Sequence, residues 1–126
     1  MKVRNVTIGI KSEEESLKDF VRTFKSIQAG HPPKKLKEGV YFVSREAMRK
    51  VLSPKRLEIL STVRKKEPGS IYELARILKR SLRNVQDDVS LLSRLGLLSL
   101  TRKREARKRI IPRVSYDRLD LQIPVV

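Results

Sequence analysis

The sequence predicts an α+β fold that is mainly helical and contains a small β-hairpin. Five segments between residues 12 and 96 carry apolar residues at helical spacing, and a serine that can cap a helix precedes each segment. From Leu97 onward apolar and polar residues alternate, which is typical of β-strands. We therefore expect a series of helices followed by a short hairpin.

The composition limits the class of partner. The chain has 126 residues, of which 39% are hydrophobic and 35% are charged, so we expect a folded globular protein. The formal net charge of +16 exceeds what solubility requires and predicts a polyanionic partner. The nearly neutral residues 67–96 lie between two strongly basic stretches, so the positive charge is concentrated on particular elements.

The rare residue types limit the chemistry. Because the chain has no cysteine and one histidine, His31, we expect no disulfide, no metal site and no cofactor. No apolar run reaches the roughly 18 residues of a membrane span, and no signal sequence is recognisable, so we expect a cytoplasmic protein without a membrane partner. Serine, aspartate and histidine form no convincing nucleophile set, and no glycine-rich phosphate loop is present. We therefore expect no enzyme activity.

The N-terminal part, residues 1–39, is predicted to form a strand-helix arm with a connector, followed by a main domain over residues 40–126. β-branched residues predict a strand within residues 2–10, and Ser12 with three following glutamates predicts a helix that ends at Gly30. The apolar face of this helix suits either the core of a larger domain or dimerisation. Dimerisation is favoured because the arm is too small to fold alone. The residues of this face are Leu17, Phe20, Val21, Phe24 and Ile27.

The main domain is predicted to contain four helices. A short one follows Ser44, and Ser53-Pro54 and Ser70 with Glu73 are strong start signals for the next two. A longer helix runs from Ser81 to Gly96. The residues expected to be buried are Leu57, Leu60 and Val63 on the second helix and Leu82, Val85, Val89 and Leu92 on the longest.

A helix, a short helix, a tight turn, a longer helix and a β-hairpin make up the element order of a winged helix-turn-helix. Strands are predicted at 97–102, 109–115 and 119–125, and the first two form the hairpin, or wing. In this fold the longer helix enters the major groove of double-stranded DNA, and the wing contacts the backbone or the minor groove. The side chains suited to contact bases are Arg83, Asn84, Gln86 and Ser90. Those suited to contact the DNA backbone are Arg80, Ser81, Lys55, Arg56, Arg102, Lys103, Arg104, Arg107, Lys108 and Arg109.

Four short runs carry a resemblance to a known family. The run from Leu52 to Leu60, which contains Ser53-Pro54-Lys55-Arg56, resembles the opening of a prokaryotic family of MarR-like winged-helix DNA-binding regulators. The runs 71–76, 84–89 and 95–98 are similar to later parts of that family, as is the N-terminal strand and helix. The resemblance implies transcription regulation. Because members are often encoded beside a small toxin, it also implies an autoregulating antitoxin with a protein toxin as partner.

The sequence leaves three functions open. The first is a homodimeric, sequence-specific transcriptional regulator bound to double-stranded DNA, because half-sites one helical turn apart suit a two-fold dimer. The second is an antitoxin that binds its toxin through the N-terminal arm or the C-terminal tail. The third is a basic RNA-binding protein, which the scarcity of aromatic residues beside the basic clusters disfavours.

Overall fold

The computed structural model describes residues 5–30, 39–104 and 108–125 of the chain. Within these ranges it contains both helices and strands, so the predicted α+β class is confirmed. The helices are α1 (Glu13–Gln28), α2 (Arg45–Val51), α3 (Pro54–Lys66), α4 (Ile71–Leu78) and α5 (Leu82–Arg94). The strands are β1 (Asn5–Ile10), β2 (Gly39–Phe42), β3 (Ser99–Arg104), β4 (Lys108–Arg113) and β5 (Arg118–Gln122).

The described chain divides into two compact units. The helical unit is Val51–Asp117, and the sheet unit combines Asn5–Lys50 with the residues from Arg118 onward. This division differs from the predicted boundary between residues 39 and 40. The reason is that β5 pairs with β1, which places the C-terminal strand in the sheet unit. The helical unit contains α3, α4, α5 and the hairpin of β3 and β4.

The sheet unit contains a parallel three-stranded sheet in the order β2-β1-β5. One face of the sheet is apolar, since Ile8 of β1 is aligned with Val40 on one side and Leu121 on the other. Ile8 and Phe42 are buried on this face. On the other face the Tyr41 ring lies across Gly9, where an added Cβ would come within 2.8 Å of the ring atom Cε1. A side chain larger than hydrogen at position 9 would therefore displace this ring.

Serine caps begin each of the five helices in the described ranges, as the sequence predicts. Each hydroxyl oxygen accepts a hydrogen bond from the backbone N–H three residues further on, which satisfies one of the unpaired donors of the first helical turn. The distances from N to Oγ are 3.2 Å at Ser12, 3.1 Å at Ser44, 3.3 Å at Ser53, 3.0 Å at Ser70 and 3.3 Å at Ser81. The local start signals thus determine where each helix begins.

The core of the helical unit is built from one face of each of its helices. Val85, Val89 and Leu92 of α5 are fully buried, as predicted. The prediction that Leu57 and Leu82 are buried is wrong, because Leu57 is 41% exposed and Leu82 is 38% exposed. Leu57 lies about 200° around α3 from the buried Ile59, and Leu82 is the first residue of α5, where the helix meets solvent.

The buried Tyr116 stabilises the end of the helical unit. Tyr116 is 8% exposed, and its hydroxyl donates a hydrogen bond to the Leu97 carbonyl oxygen over 2.7 Å. Leu97 follows a helix end in which Gly96 has a φ of +79° and the Leu97 N–H donates to the Leu92 carbonyl. Tyr116 therefore fixes the point where α5 turns into the wing.

We expect Tyr116→Phe to lower the free energy of unfolding by about 1–2 kcal/mol, because the Leu97 carbonyl loses its buried donor. Tyr72→Phe is the matched control, since Tyr72 is 61% exposed, and should leave the urea midpoint unchanged. Burial raises the pKa of Tyr116 from 10.0 to about 12. The folded state thus holds the Tyr116 proton more tightly than the unfolded state does. The free energy of unfolding should therefore decrease as the pH rises from 10 towards 12, and this decrease should be smaller in Tyr116→Phe. Equal midpoints for the two variants would contradict this role.

Candidate nucleic-acid interface

A tight turn joins α4 to α5. Only Lys79, Arg80 and Ser81 lie between the two helices, and Lys79 adopts the left-handed conformation with a φ of 54°. The Arg80 N–H donates to the Ala75 carbonyl over 3.1 Å, which closes the end of α4. Ala75 is buried, and its small side chain suits two helices that cross closely. The geometry is that of a helix-turn-helix in which α5 follows the short support helix α4.

The two faces of α5 differ in character. Val85, Val89 and Leu92 are buried, whereas the opposite face consists of exposed polar side chains. All four predicted base-contacting residues, Arg83, Asn84, Gln86 and Ser90, are exposed, and the first three lie in the first two turns of the helix. Asp87 is exposed on the same face. The structure therefore brings these hydrogen-bonding groups together on one accessible surface of α5.

Asp88 joins two of the predicted backbone-contacting arginines. Its Oδ1 lies 3.1 Å from Nε of Arg56, and its Oδ2 lies 2.8 Å from Nη2 of Arg80. The side chains of Arg56, Arg80 and Asp88 are 25%, 19% and 13% exposed, so the cluster is largely shielded from water. Arg56 also donates from Nη1 to the Val51 carbonyl over 3.1 Å. The structure thus places both arginines in intramolecular pairs and not on the exposed surface.

The wing is an antiparallel ladder of β3 and β4 in which basic residues lie near the tip. Arg102, Lys103 and Arg109 are exposed, and Lys103 is aligned directly with Arg109 across the ladder. Arg104 is aligned with Lys108 in the last described pair. Arg107, the remaining predicted wing contact, lies outside the described residues. Like charges directly opposite one another destabilise a ladder, so an anionic partner would stabilise this hairpin.

The other predicted backbone contacts lie at the starts of helices. Lys55 is exposed in the first turn of α3. Ser81 is exposed at the N-terminus of α5, where its oxygen accepts from the Asn84 N–H. An exposed helix start presents backbone N–H groups and the positive end of the helix dipole, both of which suit a phosphate.

The apolar face of α1 is exposed in the single chain. Leu17, Phe20, Val21 and Phe24 are between 41% and 67% exposed, and the rings of Phe20 and Phe24 stack with centroids 6.5 Å apart. Ile27, the fifth predicted dimerisation residue, lies in the last part of the same helix. Leu17, Phe20, Val21 and Phe24 thus form a surface available to a partner.

The start of α1 is tied to the end of β1. Lys11 Nζ lies 2.7 Å from Asp19 Oδ2 and 4.2 Å from the centroid of the Tyr41 ring. The hydrogen bond from Lys11 lowers the pKa of Asp19 below its ordinary value. These contacts hold the first half of α1 relative to the sheet.

Sequence reasoning missed the role of Asp88 as the common partner of two arginines. Arg80 lies eight residues before Asp88, and Arg56 lies 32 residues before it. Neither separation produces a local pattern, because the pairs form only when α3 and the α4–α5 turn pack against α5. The available signal is that an acidic side chain is unfavourable on a helix that approaches phosphates, which indicates a basic partner for Asp88 on a neighbouring helix without identifying it.

The helix-turn-helix, its exposed polar helix face and the following basic hairpin define a winged helix-turn-helix protein. The family model described as HVO_A0114 matches residues 51–121, more than half of the chain, and the chain belongs to this family. Among solved structures, a transcriptional regulator homologue protein from Pyrococcus horikoshii OT3 is similar, with 20% identity and a TM-score of 0.49. The match covers 56% of this chain and 73% of that chain. No curated protein matches the sequence. In the described ranges, no helix combines the length and the apolar character needed to cross a membrane.

Proposed function

We propose that this protein is a sequence-specific transcriptional regulator that binds double-stranded DNA as a homodimer and regulates its own promoter. The observation that carries the proposal is the exposed face of α5. Arg83 projects from the first two turns of this helix opposite its buried stripe, and the exposed Asn84 and Gln86 lie on the two flanks. Arginine hydrogen-bonds guanine, and asparagine or glutamine hydrogen-bonds adenine, at base edges in the major groove. This helix therefore carries the groups that direct base recognition requires.

The distribution of charge supports DNA as the polyanion. The exposed cations of the wing and Lys55 lie on elements that flank α5 in a winged helix. Bringing phosphates beside Lys103 and Arg109 relieves the repulsion between these aligned cations and releases counterions from the DNA. The wing thus contributes affinity for any duplex, and α5 contributes the choice of sequence.

The exposed apolar face of α1 supports a dimer. A stripe that contains Leu17, Phe20 and Phe24 would be stabilised by burial against a second copy. The first turn of α1 is acidic, with Glu14 beside the stripe, and the last turn is basic, with Lys25 beside it. Two copies of α1 in antiparallel orientation would therefore place Glu14 of each copy near Lys25 of its partner. An antiparallel pair has the two-fold symmetry of a palindromic operator.

An antitoxin that binds a small protein toxin is the second candidate function. It is favoured by the C-terminal edge of the sheet, because β5 is an edge strand and Leu121 and Ile123 are 53% and 44% exposed. An exposed edge strand is a template for strand addition by a partner. A stable complex with the product of an adjacent reading frame, lost in Leu121→Glu, would support this function. DNA binding by the same protein would remain compatible with it.

Selection of bound duplexes from a randomised pool tests the proposed function. We expect the wild type to enrich one two-fold symmetric motif. Arg83→Ala should lose the preference at one position of each half-site, where the discrimination contributed by a bidentate contact is about 1–3 kcal/mol. Arg94→Ala is the matched control, because Arg94 is also exposed on α5 but lies in its last turn, and it should retain the full motif. Enrichment of no motif by the wild type would contradict sequence-specific recognition.

A further inference from the structure

The arginine cluster around Asp88 is shared by three parts of the helical unit. Arg56 belongs to the first turn of α3, Arg80 lies in the α4–α5 turn, and Asp88 is in the middle of α5. Asp88 accepts hydrogen bonds from Arg56 Nε and Arg80 Nη2, one on each carboxylate oxygen. The cluster lies on the flank of α5, between its buried stripe and its exposed polar face.

The cluster contains more positive than negative charge. Two guanidinium groups share the single carboxylate of Asp88, and within the described part of the chain Arg80 Nη1 is buried without a hydrogen-bond partner. Both arginines lie on elements that a winged helix presents to the phosphate backbone. Without Asp88, these two side chains would be attracted to phosphates in the same way as the exposed wing cations.

We infer that Asp88 determines specificity by holding Arg56 and Arg80 in intramolecular ion pairs, away from the phosphate backbone. This inference rests on the proposed function and concerns the difference between affinity for the operator and affinity for random DNA. Phosphate contacts strengthen binding to every sequence, so two additional contacts would raise non-specific affinity more than they raise discrimination. Asp88 thus keeps binding to random DNA weak while α5 selects the operator.

Asp88→Asn tests the inference, because the amide has nearly the same shape and lacks the charge. The measurement is affinity for a random duplex between 50 and 200 mM salt. Each arginine that gains a phosphate contact adds about 0.9 to the slope of log K against log salt, so affinity falls about threefold more over this range for each contact. We expect a steeper slope and tighter binding at 50 mM for Asp88→Asn. Glu58→Gln is the matched control: it removes the same charge from an exposed position of α3 that has no proposed DNA contact and should keep the wild-type slope.

A second substitution separates released arginines from a general change in structure. Arg56→Gln should leave the salt slope of the wild type unchanged, because Asp88 already holds this arginine. In the Asp88→Asn background the same substitution should remove about half of the gain in slope. A cluster that only supports the fold would instead weaken binding in Asp88→Asn, and Arg56→Gln would not reverse the change.

Each result of these salt series supports or overturns the role of Asp88. A folded Asp88→Asn protein with an unchanged or shallower slope overturns the inference. If Asp88→Asn fails to fold by circular dichroism, Arg56→Gln and Arg80→Gln decide: unchanged slopes support the inference, and a loss of about one unit in either variant overturns it. A wild type that binds no duplex would contradict the proposed function itself. A wild type that recognises its operator, with contrary results in these variants, would contradict only the role of Asp88.

Discussion

Replacing Arg102, Lys103 and Arg109 together by glutamine lowers affinity for any duplex by about a hundredfold at physiological salt, on our account. Each lost phosphate contact reduces the slope of log K against log salt by about 0.9, so the slope should become shallower by about 3 units. The three side chains are exposed, and the substitution removes the repulsion between the aligned Lys103 and Arg109, so the hairpin should remain folded. Fluorescence anisotropy on a random duplex over a salt series measures both quantities.

The control for the wing variant removes the same number of positive charges from another helix. Arg45, Arg49 and Lys50 are exposed on α2, which belongs mainly to the sheet unit. Replacing these three by glutamine should change the slope much less than the wing variant does. Equal effects of the two triple variants would indicate general charge attraction without a defined wing contact and would contradict the assignment.

Introducing glutamate at both Phe20 and Phe24 is expected to convert the dimer into a monomer. Two carboxylates in an apolar interface between copies of α1 would be buried without partners, which is strongly unfavourable. Folding of the single chain should be little affected, because these side chains are 67% and 54% exposed. Loss of the second half-site contact should lower operator affinity by about a hundredfold or more. Analytical ultracentrifugation measures the mass, and anisotropy measures the affinity.

The matched control for the dimer variant lies on the opposite side of the same helix. Arg22→Glu places a carboxylate on α1 about 140° from Leu17 and should leave both the mass and the operator affinity of the dimer intact. A variant with both Phe20→Glu and Phe24→Glu that remains dimeric would contradict the role of α1. A wild type that is monomeric at all concentrations would contradict the homodimer.

Local signals predicted the elements of the helical unit well. The positions of Ser53, Ser70 and Ser81 determine the helix starts, and the stripe of Val85, Val89 and Leu92 determines which face of α5 is buried. These features depend on residues a few positions apart, which the sequence displays directly. The exposed polar face of α5 follows from the same periodicity.

Long-range pairing was not predictable in the same way. β5 aligns Leu121 with Ile8, more than a hundred residues away, and a parallel pair has no connecting hairpin whose turn residues would reveal it. The alternation of residues 119–125 indicated a strand without indicating its neighbour. The ion pairs of Arg56 and Arg80 with Asp88 were unpredictable for the same reason. The residues around a basic side chain do not indicate which distant carboxylate it will contact.

The most direct test of the account is anisotropy of the purified protein on the duplex upstream of its own coding sequence. A random duplex and a structured RNA, each measured over the same salt series, are the comparisons. We expect binding to the upstream duplex to be roughly a thousandfold or more tighter than binding to random DNA, with weaker binding to the RNA. Tighter binding to the RNA than to either duplex would contradict it.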